Sequence, residues 1–179
     1  MPRRLPTGIR RIAPHEELTV VEHLDELRRR LIISVVALVA AFIVAYVFRD
    51  QLLDILTEPL PGDRDTLITL SPTEPLFTVL KVCFGAAVVA ALPIWLYQLY
   101  AFIIPAVSEQ SRRRMLAVVA GVSGLFLAGV AFSYFVVLPV ALPFLIDFGT
   151  DAGLVVQLRA GEYFGFALSL LLAGGLVFE

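Results

Sequence analysis

Charge is scarce in this chain. Asp, Glu, Lys and Arg make up 17% of its 179 residues, while 59% are hydrophobic and the mean hydropathy is +0.86. Soluble domains carry about 25% charged residues, so the shortage excludes an ordinary water-soluble globule. Cysteine is almost absent. Cys83 is the only one, which excludes an internal disulfide, and it lies within an apolar run. The only histidines are His15 and His23, eight apart on a polar segment, which reads as two solvated side chains and no metal site. There is no basic tract with interleaved aromatics, which argues against nucleic acid as a partner. No P-loop is present. The first apolar run is not a secretory leader: its polar lead is too long, and no A-x-A site follows it.

What the chain has instead is four long apolar runs. They are Leu31–Phe48, Val82–Ser108 (interrupted by Pro93 and Pro105), Met115–Ile146 (with Pro139 and Pro143 near its end), and a run from Tyr163 to Phe178. Each is near or above the roughly 20 residues a helix needs to cross a bilayer. In lipid a helix satisfies its own backbone polar groups, so all four are expected to be helical. The expectation is an all-α, polytopic integral membrane protein. A flexible basic stretch, 1–18, precedes a single transmembrane domain, 19–179, with spans at about 28–48, 74–104, 112–140 and 160–179. Pro93 predicts a kink inside the second span.

The connecting segments alternate in charge. Arg3, Arg4, Arg10, Arg11 and Arg28–Arg30 precede span one, and Arg112–Arg114 follow span two. Acids dominate the other two loops: Asp50, Asp54, Glu58, Asp63 and Asp65, then Asp147, Asp151 and Glu162. The positive-inside rule therefore places the N-terminus and residues 105–114 in the cytoplasm. Thr19-Val20-Val21-Glu22 and Ser71-Pro72-Thr73-Glu74 have capping-box spacing and predict helix starts. Arg49–Thr57 mixes Asp50 and Asp54 with Leu52, Leu53 and Leu56, and reads as a short amphipathic helix on the outer surface. The last run ends on Glu179 with no polar tail, so the chain is expected to be a fragment or truncated product of a longer membrane protein.

Several residues are candidates for chemistry. Glu26 stands beside Arg28–Arg30 where a polar helix runs into span one. Its plain reading is a helix laced by Glu26–Arg30 and Asp25–Arg29 pairs at i,i+4. The functional reading is an exposed acid that selects arginine through a charge-assisted, bidentate contact. Glu109 shares that membrane face. Glu179 follows sixteen uncharged residues, and an ionisable group deep in a span is costly enough to suggest function. Gly121-Val122-Ser123-Gly124 lacks the closing glycine of a nucleophile elbow, so a serine hydrolase is disfavoured. Gly161-x-x-x-Gly165 and Ala117-x-x-x-Gly121 have the spacing of close helix packing.

The motifs converge on one resemblance. His23-Leu24-Asp25-Glu26-Leu27-Arg28-Arg29-Arg30-Leu31 resembles the N-terminal signature of the TatC family, the core subunit of the twin-arginine protein translocase. Pro75-Leu76-Phe77 through Lys81, Leu92–Pro105, Phe132–Pro139 and Tyr163–Glu179 resemble later segments of the same family, in the same order. The resemblance implies six transmembrane helices, of which four are present. It also implies a receptor for signal peptides bearing two consecutive arginines, in a complex that exports folded proteins on the proton-motive force. No cofactor and no enzymatic bond-making are expected. Implied partners are TatA-like and TatB-like subunits, the bilayer, and further copies of the chain, in the plasma or inner membrane. The resemblance carries signal binding onto Glu26, Arg28 and Phe102, an intramembrane acid onto Glu179, and a sensitive outward-loop proline onto Pro59. One departure stands out. Ser111 occupies the position where the family has a loop glutamate, and Glu109, two residues earlier, is the candidate substitute. The rival readings are a secondary transporter, which needs polar residues lining mid-span, an intramembrane enzyme, or a membrane scaffold.

Overall fold

The computed structural model describes residues 20–61, 67–103 and 109–179, apart from the side chains of 20–22, 103 and 109–112. The helices are α1 (Val20–Val47), α2 (Arg49–Thr57), α3 (Glu74–Ile103), α4 (Glu109–Phe132), α5 (Leu138–Asp151) and α6 (Ala160–Phe178). A π-helical turn, Ser133–Val137, joins α4 to α5 without a break. The only β-pairing among the described residues is an isolated bridge between Ile68 and Arg159. Among the described residues, four helical stretches are long and apolar enough to cross a membrane: His23–Val47, Glu74–Phe102, Arg113–Asp151 and Ala160–Phe178. The protein is therefore an all-helical, polytopic membrane protein.

The third stretch departs from its expected end near residue 140. Pro139 and Pro143, near the end of the apolar run, each lack an N–H and crowd the carbonyl one turn back. The chain absorbs them. The wider turn at Ser133–Val137, where the Leu138 N–H bonds the Ser133 carbonyl, precedes Pro139, and the helix runs on to Asp151. Asp147 and Asp151 therefore belong to its last turns and not to a loop.

The predicted capping boxes fare differently. Thr19 lies outside the described residues. At the second site α3 opens at Glu74, whose N–H bonds the Ser71 carbonyl at 3.1 Å. The Glu74 side chain reaches back to the Leu70 N–H (2.9 Å) and not to that of Ser71. It also accepts from the Gly161 N–H (3.2 Å) and from Arg159 (3.2 Å), tying the start of α3 to the start of α6.

The main core lies at the α2 end of the bundle. Leu56 and Leu60 pack there with Val82 of α3, Leu138 and Leu142 of α5, and Tyr163, Phe164, Ala167 and Leu171 of α6. The short helix α2 is closed onto this core by two tyrosines. The Tyr134 hydroxyl donates to the Ile55 carbonyl at 2.7 Å, and the buried Tyr163 hydroxyl donates to the Leu56 carbonyl. Both are last-turn carbonyls; the Ile55 carbonyl also accepts from the Glu58 N–H at 3.3 Å, whereas the Leu56 carbonyl relies on Tyr163. Pro59 follows in the turn, where the Leu60 N–H bonds the Thr57 carbonyl and Leu60 drops into the core.

Helix α1 packs chiefly on α3. On α3, Cys83, Ala87 and Ala91 are fully buried and spaced four apart, on the face that continues to Trp95 and Gln98. The indole N–H of Trp95 donates to the Ser34 carbonyl of α1 at 3.0 Å. Cys83 thus serves as a small packing residue. A close helix approach joins α4 to α6, at glycines outside the expected motifs. A Cβ on Gly129 would strike the Gly174 backbone, and one on Gly174 would overlap Ser133 Oγ. Gly121 has open space around it, so Ala117-x-x-x-Gly121 mediates no such contact here.

Candidate functional site

The end of the bundle opposite α2 is formed by the start of α1, the end of α3 and the start of α4. Two clefts open here between α1 and α3. The first, about 240 Å³, is lined by Glu26, Arg29, Arg30 and Ile33 of α1 and by Gln98 of α3. The second, about 180 Å³, shares Arg30 and Gln98, includes Ser34 and is otherwise apolar, with Leu27, Leu31, Trp95 and Phe102 among its walls.

Helical spacing builds the polar cleft. Glu26 and Arg30 are one turn apart on α1, so their side chains meet. Arg30 Nε donates to Glu26 Oε1 at 3.0 Å, and Arg30 Nη2 donates to the same oxygen. Arg30 Nη1 donates to Gln98 Oε1 at 3.3 Å, linking α1 to α3. Both members of the ion pair are largely sheltered, with side chains 21% and 27% exposed. The other expected pair, Asp25–Arg29, is not formed among the described residues. Phe102 is half-buried, and its ring stacks on His23, centroids 4.4 Å apart and planes 24° apart. The contact places the loop end of α3 against the start of α1.

The structure thus brings Glu26 and Phe102 to adjoining clefts. Arg28 is exposed and lines neither of them. Glu109 opens α4 at the same end of the bundle, and its side chain lies outside the described residues. Glu179 and Pro59 stand apart from this site. The ring of Phe178, next to Glu179, contacts Phe132 at the middle of the Arg113–Asp151 stretch. Pro59 lies at the α2 end. Sequence reasoning passed over Gln98 as a site residue. Its one signal was its place as a polar side chain near the end of an apolar run, and what it faces is set by how α1 packs on α3. No group of three or more His, Cys, Asp or Glu among the described residues could hold a metal ion.

A further, larger groove of about 580 Å³ lies between α2, α3, α4 and α6. Its walls, including Leu52, Val89, Pro93, Leu127 and Leu172, are almost wholly apolar. It has no charged group and offers no acid–base or ligating chemistry.

Comparison with known proteins gives a consistent result. A family described as Sec-independent protein translocase protein (TatC) matches residues 22–179. The TatC protein of Aquifex aeolicus is 39% identical over 165 residues, spanning 90% of this chain and 69% of that protein. The Carboxydothermus hydrogenoformans TatC is 36% identical over 90% of this chain and 66% of its own length. The chloroplastic TATC of Arabidopsis thaliana is 36% identical over 92% of this chain and 48% of its own length. The chain thus spans about two thirds of the length of its bacterial relatives. A crystal structure of the twin-arginine translocase receptor TatC in DDM superposes with a TM-score of 0.76 at 40% identity, covering 88% of this chain and 72% of that one. TatC proteins are components of a protein translocase and not enzymes. With the four spans, the α1 signature and the fold in agreement, this chain belongs to the TatC family of Sec-independent protein translocase proteins.

Proposed function

We propose that this chain is the part of a TatC receptor that recognises twin-arginine signal peptides, at the clefts between α1 and α3. The observation that carries the reading is the placement of Glu26. Its carboxylate is sheltered at a helix end, already holds a guanidinium, and adjoins an apolar slot ending at Phe102. A carboxylate in that setting prefers arginine to lysine, because the planar guanidinium donates twice where an ammonium acts as a point charge. The neighbouring slot, walled by Leu27, Leu31, Trp95 and Leu99, suits the apolar residues that follow the arginines in such a peptide.

In this reading the Glu26 end faces the cytoplasm, together with residues 105–114, and the α2 end faces outward, in a plasma or inner membrane. The chain would work without a cofactor, alongside TatA-like and TatB-like subunits and further copies of itself, in export of folded proteins driven by the proton-motive force. Glu109 would supply the acid that Ser111 lacks. Arg28 would add charge at the rim, Glu179 would act within the membrane, and Pro59 would shape the outward turn. The test is site-specific photocrosslinking from positions 26, 102 and 109 to an Arg-Arg signal peptide and its Lys-Lys version. Crosslinks from 26 and 102 that vanish with Lys-Lys support the receptor reading, and a crosslink from 109 supports its substitute role. No crosslink from any position in correctly inserted chain would overturn it.

A further inference from the structure

The carboxylate that would receive a signal arginine is not free. Arg30 places two donors on Glu26 Oε1 and a third on Gln98 Oε1. The cleft around them holds one acid and two guanidinium groups, those of Arg29 and Arg30. A cationic peptide entering this cleft meets an acid already matched by a cation and a second cation beside it. Adding a third guanidinium without removing one would crowd like charges in a sheltered site. Binding by simple addition is therefore disfavoured, and exchange is favoured.

We infer that Arg30 is a built-in competitor for the signal arginine, held on Glu26 by Gln98 and displaced when a signal peptide binds. The inference rests on the reading of Glu26 as the signal-binding acid. Arg30 is on the same helix as Glu26 and one turn away, so its effective concentration at the carboxylate is high whatever the peptide concentration. A peptide then binds with its intrinsic affinity reduced by the fraction of chains in which Glu26 is free. That fraction is the same for every cationic peptide. Arg30 therefore does not change the ratio of Arg-Arg to Lys-Lys affinity. It raises the threshold that both must pass, and the weaker point-charge contact of lysine falls below it first. Gln98 is a positioning residue in this scheme: it touches Arg30 and not Glu26, and it stabilises the occupied state.

The experiment measures binding of fluorescent Arg-Arg and Lys-Lys signal peptides to the full chain in lipid nanodiscs. Arg30→Gln should tighten both peptides about two- to fivefold, the size expected for releasing one sheltered i,i+4 pair, and leave their ratio unchanged. Arg30→Lys, a weaker competitor with a single point charge, should give a smaller gain. Gln98→Leu should shift both peptides in the same direction without altering net charge. Arg113→Gln removes an equal charge from an exposed position at the same end of the bundle, and reports the general electrostatic effect alone. If Arg30→Gln weakens binding, leaves it unchanged, or tightens it no more than Arg113→Gln does, the competitor role is wrong. Glu26→Gln separates the two ideas. Loss of Arg-Arg binding in Glu26→Gln with no gain in Arg30→Gln sinks the competitor alone, whereas unchanged binding in Glu26→Gln sinks the receptor site itself.

Discussion

Single residues at the α4–α6 crossing decide how closely those helices approach. Gly174 meets Ser133 Oγ and the Gly129 backbone with no room for a methyl group. Gly174→Ala is expected to lower stability by about 1–3 kcal/mol through overpacking, measured as a lower denaturation midpoint in detergent. Gly121→Ala is the matched control. It has nothing within 4 Å to strike, and alanine is favoured over glycine in a helix by up to about 1 kcal/mol, so its midpoint should hold or rise. Equal losses in both variants would refute the crossing as the tight point. Of the small-residue motifs visible in the sequence, Gly161 and Gly165 do meet α3, but through the polar Glu74 and Lys81 side chains. The decisive pair, Gly129 with Gly174, is formed by residues far apart in the chain, and no spacing rule could register it.

At the scale of the element, α2 is the helix most dependent on borrowed hydrogen bonds. Its nine residues are too few for a stable isolated helix. Tyr134 and Tyr163 supply donors to its last carbonyls from α4–α5 and α6. Tyr163→Phe should cost about 1–3 kcal/mol, because it leaves the Leu56 carbonyl unsatisfied in a buried setting. Tyr134→Phe should cost less, since water reaches that site. Hydrogen exchange is the measurement, with faster exchange confined to residues 49–60. Exchange rising equally throughout the bundle would mean that the tyrosines act by general packing. The amphipathic pattern of Arg49–Thr57 was legible in the sequence, because its leucines repeat at helical spacing. Its partners were not, because a tyrosine hydroxyl carries no record of which carbonyl it meets.

For the molecule as a whole, orientation and span length set the frame. Single-cysteine labelling at positions 28 and 113, in a chain whose buried Cys83 is replaced by Ala, should be reached only from the cytoplasmic side. Labels at 54 and 151 should be reached only from outside. Any reversal would overturn the orientation drawn from the arginines. The third stretch, Arg113–Asp151, has 39 residues and extends about 58 Å at the helical rise, against a hydrocarbon core of about 30 Å. It must tilt, bend at the π turn, or stand beyond the bilayer. Its exposed Val140, Phe144 and Phe148 argue that much of the half ending at Asp151 stays in contact with lipid. Spin labels at 140, 144 and 148 should accordingly show greater oxygen than nickel-chelate accessibility, and the opposite order would place that half in water.

The sequence by itself determined the membrane class, the number of spans, the alternation of charged ends and the family. Each of these follows from composition, run length and local motif, which depend on residues near one another in the chain. Glu26–Arg30 pairing was also legible, because four residues make one helical turn. The tertiary structure decided the rest. It continued the third helix through two prolines by widening one turn, and it brought the Glu74 carboxylate to α6. At the other end it set Gln98 of α3 against Arg30 of α1, across 68 positions of sequence. Those contacts arise from how helices with similar apolar surfaces pack on one another. Such packing is governed by shape and by a few polar groups that must find partners, information that no single segment contains.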